Sequence, residues 1–473
     1  MAQELPCLFK RGNFMSNKYR YIVLILLFSA TLTSLYAQKG LHIEGRIANM
    51  KPTMLVLAQY FGGHLMPVDT AILNADGRVV WEELIPIPEG MCRILGIGRG
   101  VDIVVSGSQQ FSFEVDAKDF IATIRFENSP ENTIFFNYQR ETRKRYQRVL
   151  AYRQQMRIKD DNDPRWKSLF EELNEGVKKH VDSLYKKYPK SFAVHYLKSY
   201  QEPKLPVLPL KQLSAKDSLS LQSYAREHFF DNSFLADERM VYTSTFPARL
   251  DHFLKSLPLL SKEELITLVD KIVKQSDGTN ELRKYLVGKL AQQFEFTPYS
   301  EFDAAYSHIV QKYIEGEASF WDASTHQKVK EVSEIKTKLA IGVSFPNLLL
   351  TNLSGIEQPL ETVQSDYTVL FFYDPGCSHC RETTPKLTAL AQQFEDKMKV
   401  YAVSLDADEK PWKVFIEEFK TENFINVCDT THKIEFYKLG VFNYPTIYLL
   451  DREKRIVARW LKVEQLSTYL LNR

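Results

Sequence analysis

Thr368 to Tyr373 is a mostly apolar run of strand length, followed by the turn signal Asp374-Pro375-Gly376 and then by Cys377-Ser378-His379-Cys380. A strand that is apolar on consecutive residues has both faces covered, as a central strand of a layered α/β domain does. After the turn, Leu387, Leu390, Ala391 and Phe394 recur at helical spacing, so a helix begins at Cys377. Downstream, Val400–Leu405 and Ile425–Val427 read as strands and Trp412–Phe419 as a helix. Thr430–Lys438 reads as a further helix closed by Gly440, and Ile447–Leu450 with Ile456–Trp460 as a hairpin turning at 451–454. Strands alternating with helices constrain the last third of the chain to an α/β layer structure.

That third cannot be the whole protein. At 473 residues the chain exceeds one ordinary core, and two or three domains are expected. From Gly40 to about Glu127 the pattern is period-two, as in Leu41–Ile47 and Phe111–Val115, with short apolar runs at Thr53–Ala58 and Ile103–Val105. Asn74-Ala75-Asp76-Gly77 and Pro88-Glu89-Gly90 separate such pieces, so a small antiparallel β domain is expected over 38–128, with Cys92 buried in one strand. From Ser129 to Lys338 the period becomes helical. Ile134, Phe135 and Tyr138 open one segment capped by Ser129 or Asn132. Leu169, Leu173, Val177, Val181 and Leu184 mark a second, and Leu265, Leu268, Ile272, Leu282, Leu286 and Leu290 continue the pattern. Pro203, Pro206 and Pro209 break the chain between helices, and an all-α middle domain is expected over 129–338. Arg140, Arg143, Lys144, Arg145, Arg148, Arg153 and Arg157 form a basic stretch that reads as a solvated helix face.

Residues 1–37 read as an export signal. Lys18 and Arg20 precede an apolar run, Tyr21 to Leu32, and a short stretch then ends at Ala37; Met15 would give a leader of ordinary form. The run is about a dozen residues, against roughly twenty for a membrane span. Leu35 is not ideal at the third position before the cut, so an uncleaved anchor stays open as the alternative and is the one route to membrane contact. A periplasmic or otherwise extracytoplasmic location follows. The formal net charge of +2 supplies no long-range field for nucleic acid. Five cysteines, with Cys7 in the leader, are too few for a disulfide-stapled scaffold.

The cysteine pair carries the chemistry. At a helix start, unpaired N–H groups and the helix dipole favour negative charge on Cys377, and the thiolate is the nucleophilic form. Cys380, three residues on, faces the same side of the first turn and can attack a mixed disulfide formed at Cys377. Zinc would need two more ligands at matching spacing, and Cys92, Cys428 and His432 form no such set. A bridge across so short a loop adds little stability, which argues against a purely structural disulfide. No metal or organic cofactor is implied.

These residues resemble the secreted TlpA/ResA type of thioredoxin-like domain, which shares the strand, the Cys-x-x-Cys and a proline five residues after the second cysteine, here Pro385. It also shares a cis-proline loop, matched by Asn443-Tyr444-Pro445-Thr446, followed by a strand and an Asp-containing hairpin at Ile447 to Asp451. The resemblance implies a C-terminal thioredoxin-like fold over 339–473 and a substrate-binding role for Tyr444, Pro445 and Thr446. The β-rich segment, and the helical segment around Phe229-Phe230-Asp231-Asn232-Ser233 and Asp237-Glu238-Arg239, resemble uncharacterised domains found ahead of such thioredoxin domains.

Departures matter as much. Gly376 stands where a Trp is usual, Phe371 where thioredoxins carry a buried Asp, and Thr383 where the ResA branch often has a Glu. The usual proton acceptor for Cys380 is therefore missing, and Glu382 is turned by about 100° from the right position. His379 occupies the slot that holds a histidine in DsbA, where it stabilises the reduced thiolate and makes the disulfide more oxidising. A solvent-exposed helix-start histidine is the alternative, so electron flow is open in direction. The Pro-x-x-x-Thr-x-x-Cys setting of a peroxidatic cysteine is absent, since Leu370 and Asp374 stand at its Pro and Thr positions. Cys428 reads as a packed core thiol. The expectation is an extracytoplasmic thiol–disulfide oxidoreductase in which Cys377 attacks, Cys380 resolves and His379 tunes. Its partners are protein thiols or disulfides and an unidentified redox donor or acceptor. The second expectation is an envelope binding or assembly protein whose β and helical domains do the work.

Overall fold

A computed structural model describes residues 40–203, 215–255, 257 and 260–471. The leader with Cys7, and Pro206 and Pro209, lie outside the described residues. The chain divides into two compact units between His252 and Phe253. Among the described residues no helix is long and apolar enough to cross a membrane.

The first unit opens with two four-stranded sheets. One has the order β4-β1-β7-β8, from β1 (His42–Ala48), β4 (Arg78–Glu82), β7 (Gln110–Asp116) and β8 (Arg125–Glu127); the other has the order β3-β2-β5-β6, from β2 (Thr53–Phe61), β3 (His64–Leu73), β5 (Gly90–Leu95) and β6 (Val101–Val105). Alternation places Ile43, Ile47, Phe111, Phe113 and Val115 in the core, and Cys92 is buried in β5 as its apolar surroundings demand. The pairings are antiparallel except that β1 and β7 run parallel, a pairing between distant segments that no local turn signal announces.

Helices α1 (Phe120–Thr123), α2 (Pro130–Gln155), α3 (Pro164–Lys187), α4 (Phe192–Lys198), α5 (Ala215–His228) and α6 (Thr245–Lys255) follow. Ser129 is the N-cap of α2, as one of the two expected candidates. Asn132, the other, lies inside the first turn instead: buried, it bonds the Val104 N–H and C=O at 2.7 Å each and ties the helix to β6. The basic stretch is only partly solvated. Arg143 pairs with Asp119 at 2.5 Å, Arg140 donates to the Ile121 and Ile124 carbonyls, and Arg153 lies over Trp166 while reaching Asp161.

The second unit begins with α7 (Lys262–Lys274), α8 (Glu281–Glu295), α9 (Ser300–Ile309) and α10 (Ala323–Lys338). Helix α7 starts at a capping box in which Ser261 and Glu264 satisfy each other's backbone donors. A seven-stranded sheet follows with the order β10-β9-β13-β12-β11-β14-β15, from β9 (Leu349–Thr351), β10 (Glu357–Pro359), β11 (Tyr367–Tyr373), β12 (Met398–Ser404), β13 (Ile425–Cys428), β14 (Thr446–Leu450) and β15 (Ile456–Arg459). Strand β11 is central, parallel to β12 and antiparallel to β14. Its alternate residues feed two cores. Val369, Phe371 and Tyr373 pack under α11 (Ser378–Gln393) and α12 (Glu409–Phe419), while Leu370 and Phe372 pack on the opposite side against Tyr448 and Leu450. That division is why the run is apolar at every position. Helix α13 (Val463–Leu471) closes the first of these cores.

One expected helix does not form. Only Phe436–Leu439 makes a 3-10 turn, although Gly440 does end it in the left-handed region at φ 69°. Asp429 accounts for the rest: its carboxylate accepts from the Thr431 N–H and hydroxyl and from the Ile434 N–H, a local alternative to helical bonds.

Candidate active site

The end of β11 delivers the cysteine pair. Asp374 folds the turn by accepting the Gly376 N–H at 2.7 Å on its carboxylate and the Cys377 N–H at 3.1 Å on its carbonyl. Cys377 is the N-cap of α11, with an extended backbone and a carbonyl that accepts the Arg381 N–H at 3.1 Å. Its sulfur therefore sits at the positive end of a 16-residue helix. Arg381 braces the same turn, donating to the Pro375 carbonyl and holding Glu418 at 2.6 Å.

Cys377 is half-buried, whereas Cys380 has no exposed surface. Both are free thiols and are hydrogen-bonded to each other. Burial pushes the Cys380 thiol up to about 12, helped by the Cys377 contact and the Asp374 charge, and the Asp374 backbone N–H offsets only part of this. Behind Cys380 lies an aromatic floor. Tyr373 stacks on Phe415 at 4.6 Å and accepts the Trp412 indole N–H at 3.1 Å. Cys428 is buried in the same core, its thiol pushed up to about 11 by burial and then by Asp429 and Asp406. It packs there, as expected of a core residue.

The loop 441–446 completes the site. The Tyr444–Pro445 peptide is cis, and the Cys377 thiol donates to the Tyr444 carbonyl across 3.8 Å. Tyr444 is 45% exposed, while Thr446 is buried with its hydroxyl on the Asn443 carbonyl at 2.6 Å. Segments nearly 70 residues apart thus meet at one sulfur.

The AhpC/TSA family description matches residues 341–459. The thiol-disulfide oxidoreductase ResA of Bacillus cereus is 28% identical over 140 residues, covering 28% of this chain and 79% of that protein. The thioredoxin-like protein YneN of Bacillus subtilis is 30% identical over 122 residues, covering 24% of this chain and 68% of that one. The chain belongs to the thioredoxin-like family. A crystal structure of a thioredoxin-like protein from Bacteroides caccae superimposes with a TM-score of 0.45 at 21% identity, over 58% of this chain and 99% of that one. The thioredoxin-like part of this chain, with its closely spaced cysteines, forms an oxidoreductase site suited to thiol–disulfide chemistry.

Of the residues singled out in this thioredoxin-like domain, Cys377, Cys380, Tyr444 and Pro445 come together, and Thr446 stands just behind them. His379 is exposed on the helix start, and Glu382 is exposed too. Asp374 was legible only as a turn former. Its carboxylate is the one whose charge acts on Cys380, a relation that depends on how the turn folds back over the first helical residues.

Proposed function

We propose that this chain is an extracytoplasmic thiol–disulfide oxidoreductase acting on protein cysteines. In the reductive direction the Cys377 thiolate attacks a substrate disulfide, forming a mixed disulfide and releasing one substrate thiolate, which takes a proton from water. Cys380 then attacks the Cys377 sulfur, and its proton passes to the second substrate sulfur as that leaves. A Cys377–Cys380 disulfide forms. A separate dithiol donor reduces the pair again. The same steps run backwards with an oxidising partner, and the potential of the pair against its partners sets the direction.

The observation carrying this reading is a half-buried sulfur at a helix N-terminus, beside the Tyr444 carbonyl, with a protonated second thiol behind it. Tyr444 and Pro445 then present the extended backbone of the substrate to Cys377, and Thr446 holds their loop. His379, exposed at the helix start, is the residue that tunes Cys377 in this reading. The extracytoplasmic assignment rests on the apolar leader ending at Ala37.

Insulin reduction and refolding of a reduced, scrambled protein test the proposal on wild type and Cys377→Ser. Wild type should act in at least one assay, and C377S in neither. Cys380→Ser should instead accumulate a mixed disulfide with the substrate. A wild type inert in both assays would refute the exchange reading.

A further inference from the structure

The loop that faces Cys377 is held from outside the thioredoxin-like fold. Phe296, just beyond the end of α8, stacks on Phe442 with ring centroids 4.0 Å apart and meets Trp460 edge-on at 5.2 Å. Phe442 stands two residues before Tyr444, whose carbonyl receives the Cys377 thiol. At the base of the same loop, the Trp460 indole N–H bonds the Gly440 carbonyl at 3.0 Å and the Tyr448 hydroxyl bonds the Leu439 carbonyl at 2.7 Å. Gly440 has no room for a side chain, since a Cβ would come within 2.5 Å of the Tyr448 hydroxyl. The base is thus rigid, and Phe442, 39% exposed, sits on Phe296 with its other side free.

The position of Phe296 is itself fixed by buried charge. Lys336, 7% exposed, donates to the Phe294 and Glu295 carbonyls at 3.1 and 2.5 Å and pairs with Asp303 at 2.6 Å. Arg459, 1% exposed, reaches Asp303 as well and donates to the Leu339 carbonyl at 2.6 Å. Buried cations so paired resist any shift of the backbone they hold, because breaking one contact strands a charge.

We propose that Phe296 is a positioning residue for protein disulfide exchange, with the helical segment setting through its ring the loop that receives the substrate backbone beside Cys377. This rests on the exchange function proposed above. The substrate it serves is an extended protein segment, which lies along the loop; a small disulfide that only meets the Cys377 sulfur has no use for it. Loss of the ring leaves the sulfur chemistry in place and loosens the groove.

The test uses the full chain, with insulin as protein disulfide and 5,5′-dithiobis(2-nitrobenzoate) as small disulfide. Phe296→Ala should raise KM for insulin by about three- to ten-fold, the worth of one ring stack. Both kcat and the rate with the small disulfide should stay within about twofold, and Phe296→Tyr should restore KM. Phe442→Leu, at a half-exposed site that folding tolerates, should raise KM likewise. The pair Phe296→Leu/Phe442→Leu should cost no more than either change alone, the signature of a shared contact. An unchanged KM, an equal fall with both disulfides, or additive effects in the pair would each overturn the proposal. A wild type inert with insulin and in refolding alike would refute the exchange function itself; one active only in refolding is tested in the same way through KM for the refolding protein.

Discussion

The asymmetry between the two thiols is open to direct measurement. With its thiol at about 12, Cys380 is ionised in about one molecule in 10⁵ at pH 7, against roughly three in 100 for a free thiol near 8.5. Its thiolate population is therefore about 3,000-fold below that of an ordinary cysteine, and burial restricts access further. Cys377 is half-exposed at the helix start. Brief iodoacetamide treatment of the reduced chain at pH 7, followed by digestion and fragmentation between Ser378 and His379, assigns each label. Singly labelled peptide should carry the label on Cys377 in at least a hundredfold excess (about the margin that local opening leaves). Labelling of Cys380 should then climb about tenfold per pH unit up to about 11, as its thiolate becomes populated. Comparable labelling of the two cysteines at pH 7 would refute the assignment of Cys380 as the protonated, sequestered partner.

Two further outcomes follow from charge. Asp374→Asn keeps an acceptor for the Gly376 N–H but removes a charge that raises Cys380, so the labelling profile of Cys380 should move to lower pH. Decay of the mixed disulfide should quicken with it, because the attacking thiolate is more populated; slower decay would refute that link. Asp270 is held down to about 2: burial opposes its ionisation, but bonds from Lys312, Tyr313 and His308 outweigh that. A carboxyl lowered on folding adds stability that is present above about pH 4 and lost as pH falls through about 2. Asp270→Asn should thus lower the urea midpoint at pH 7, with the gap to wild type closing near pH 2; a gap independent of pH would refute this.

How far the primary structure reaches can be read residue by residue. The core strand around Phe371, the helix from Cys377 and the hairpin at 451–454 were legible, because period and turn chemistry are local properties of the chain. The helix expected at 430–438 was not excluded by period, since its failure depends on one carboxylate, Asp429, competing for nearby N–H groups. Asn132 read equally well as a cap and turned out to be a tie between a helix and a strand 28 residues away.

By itself the amino-acid order determined which two sulfurs stand at a strand-to-helix junction, since three residues of spacing on one helical turn leave little choice. The helix start already favours Cys377 as the thiolate, and the tertiary structure decided how far the two sulfurs differ. It seals Cys380 over Tyr373 and leaves Cys377 against the Tyr444 carbonyl, and it props that loop with Phe296 from far along the chain. Spacing is a local quantity, whereas desolvation and the meeting of distant segments exist only once the sheet has formed.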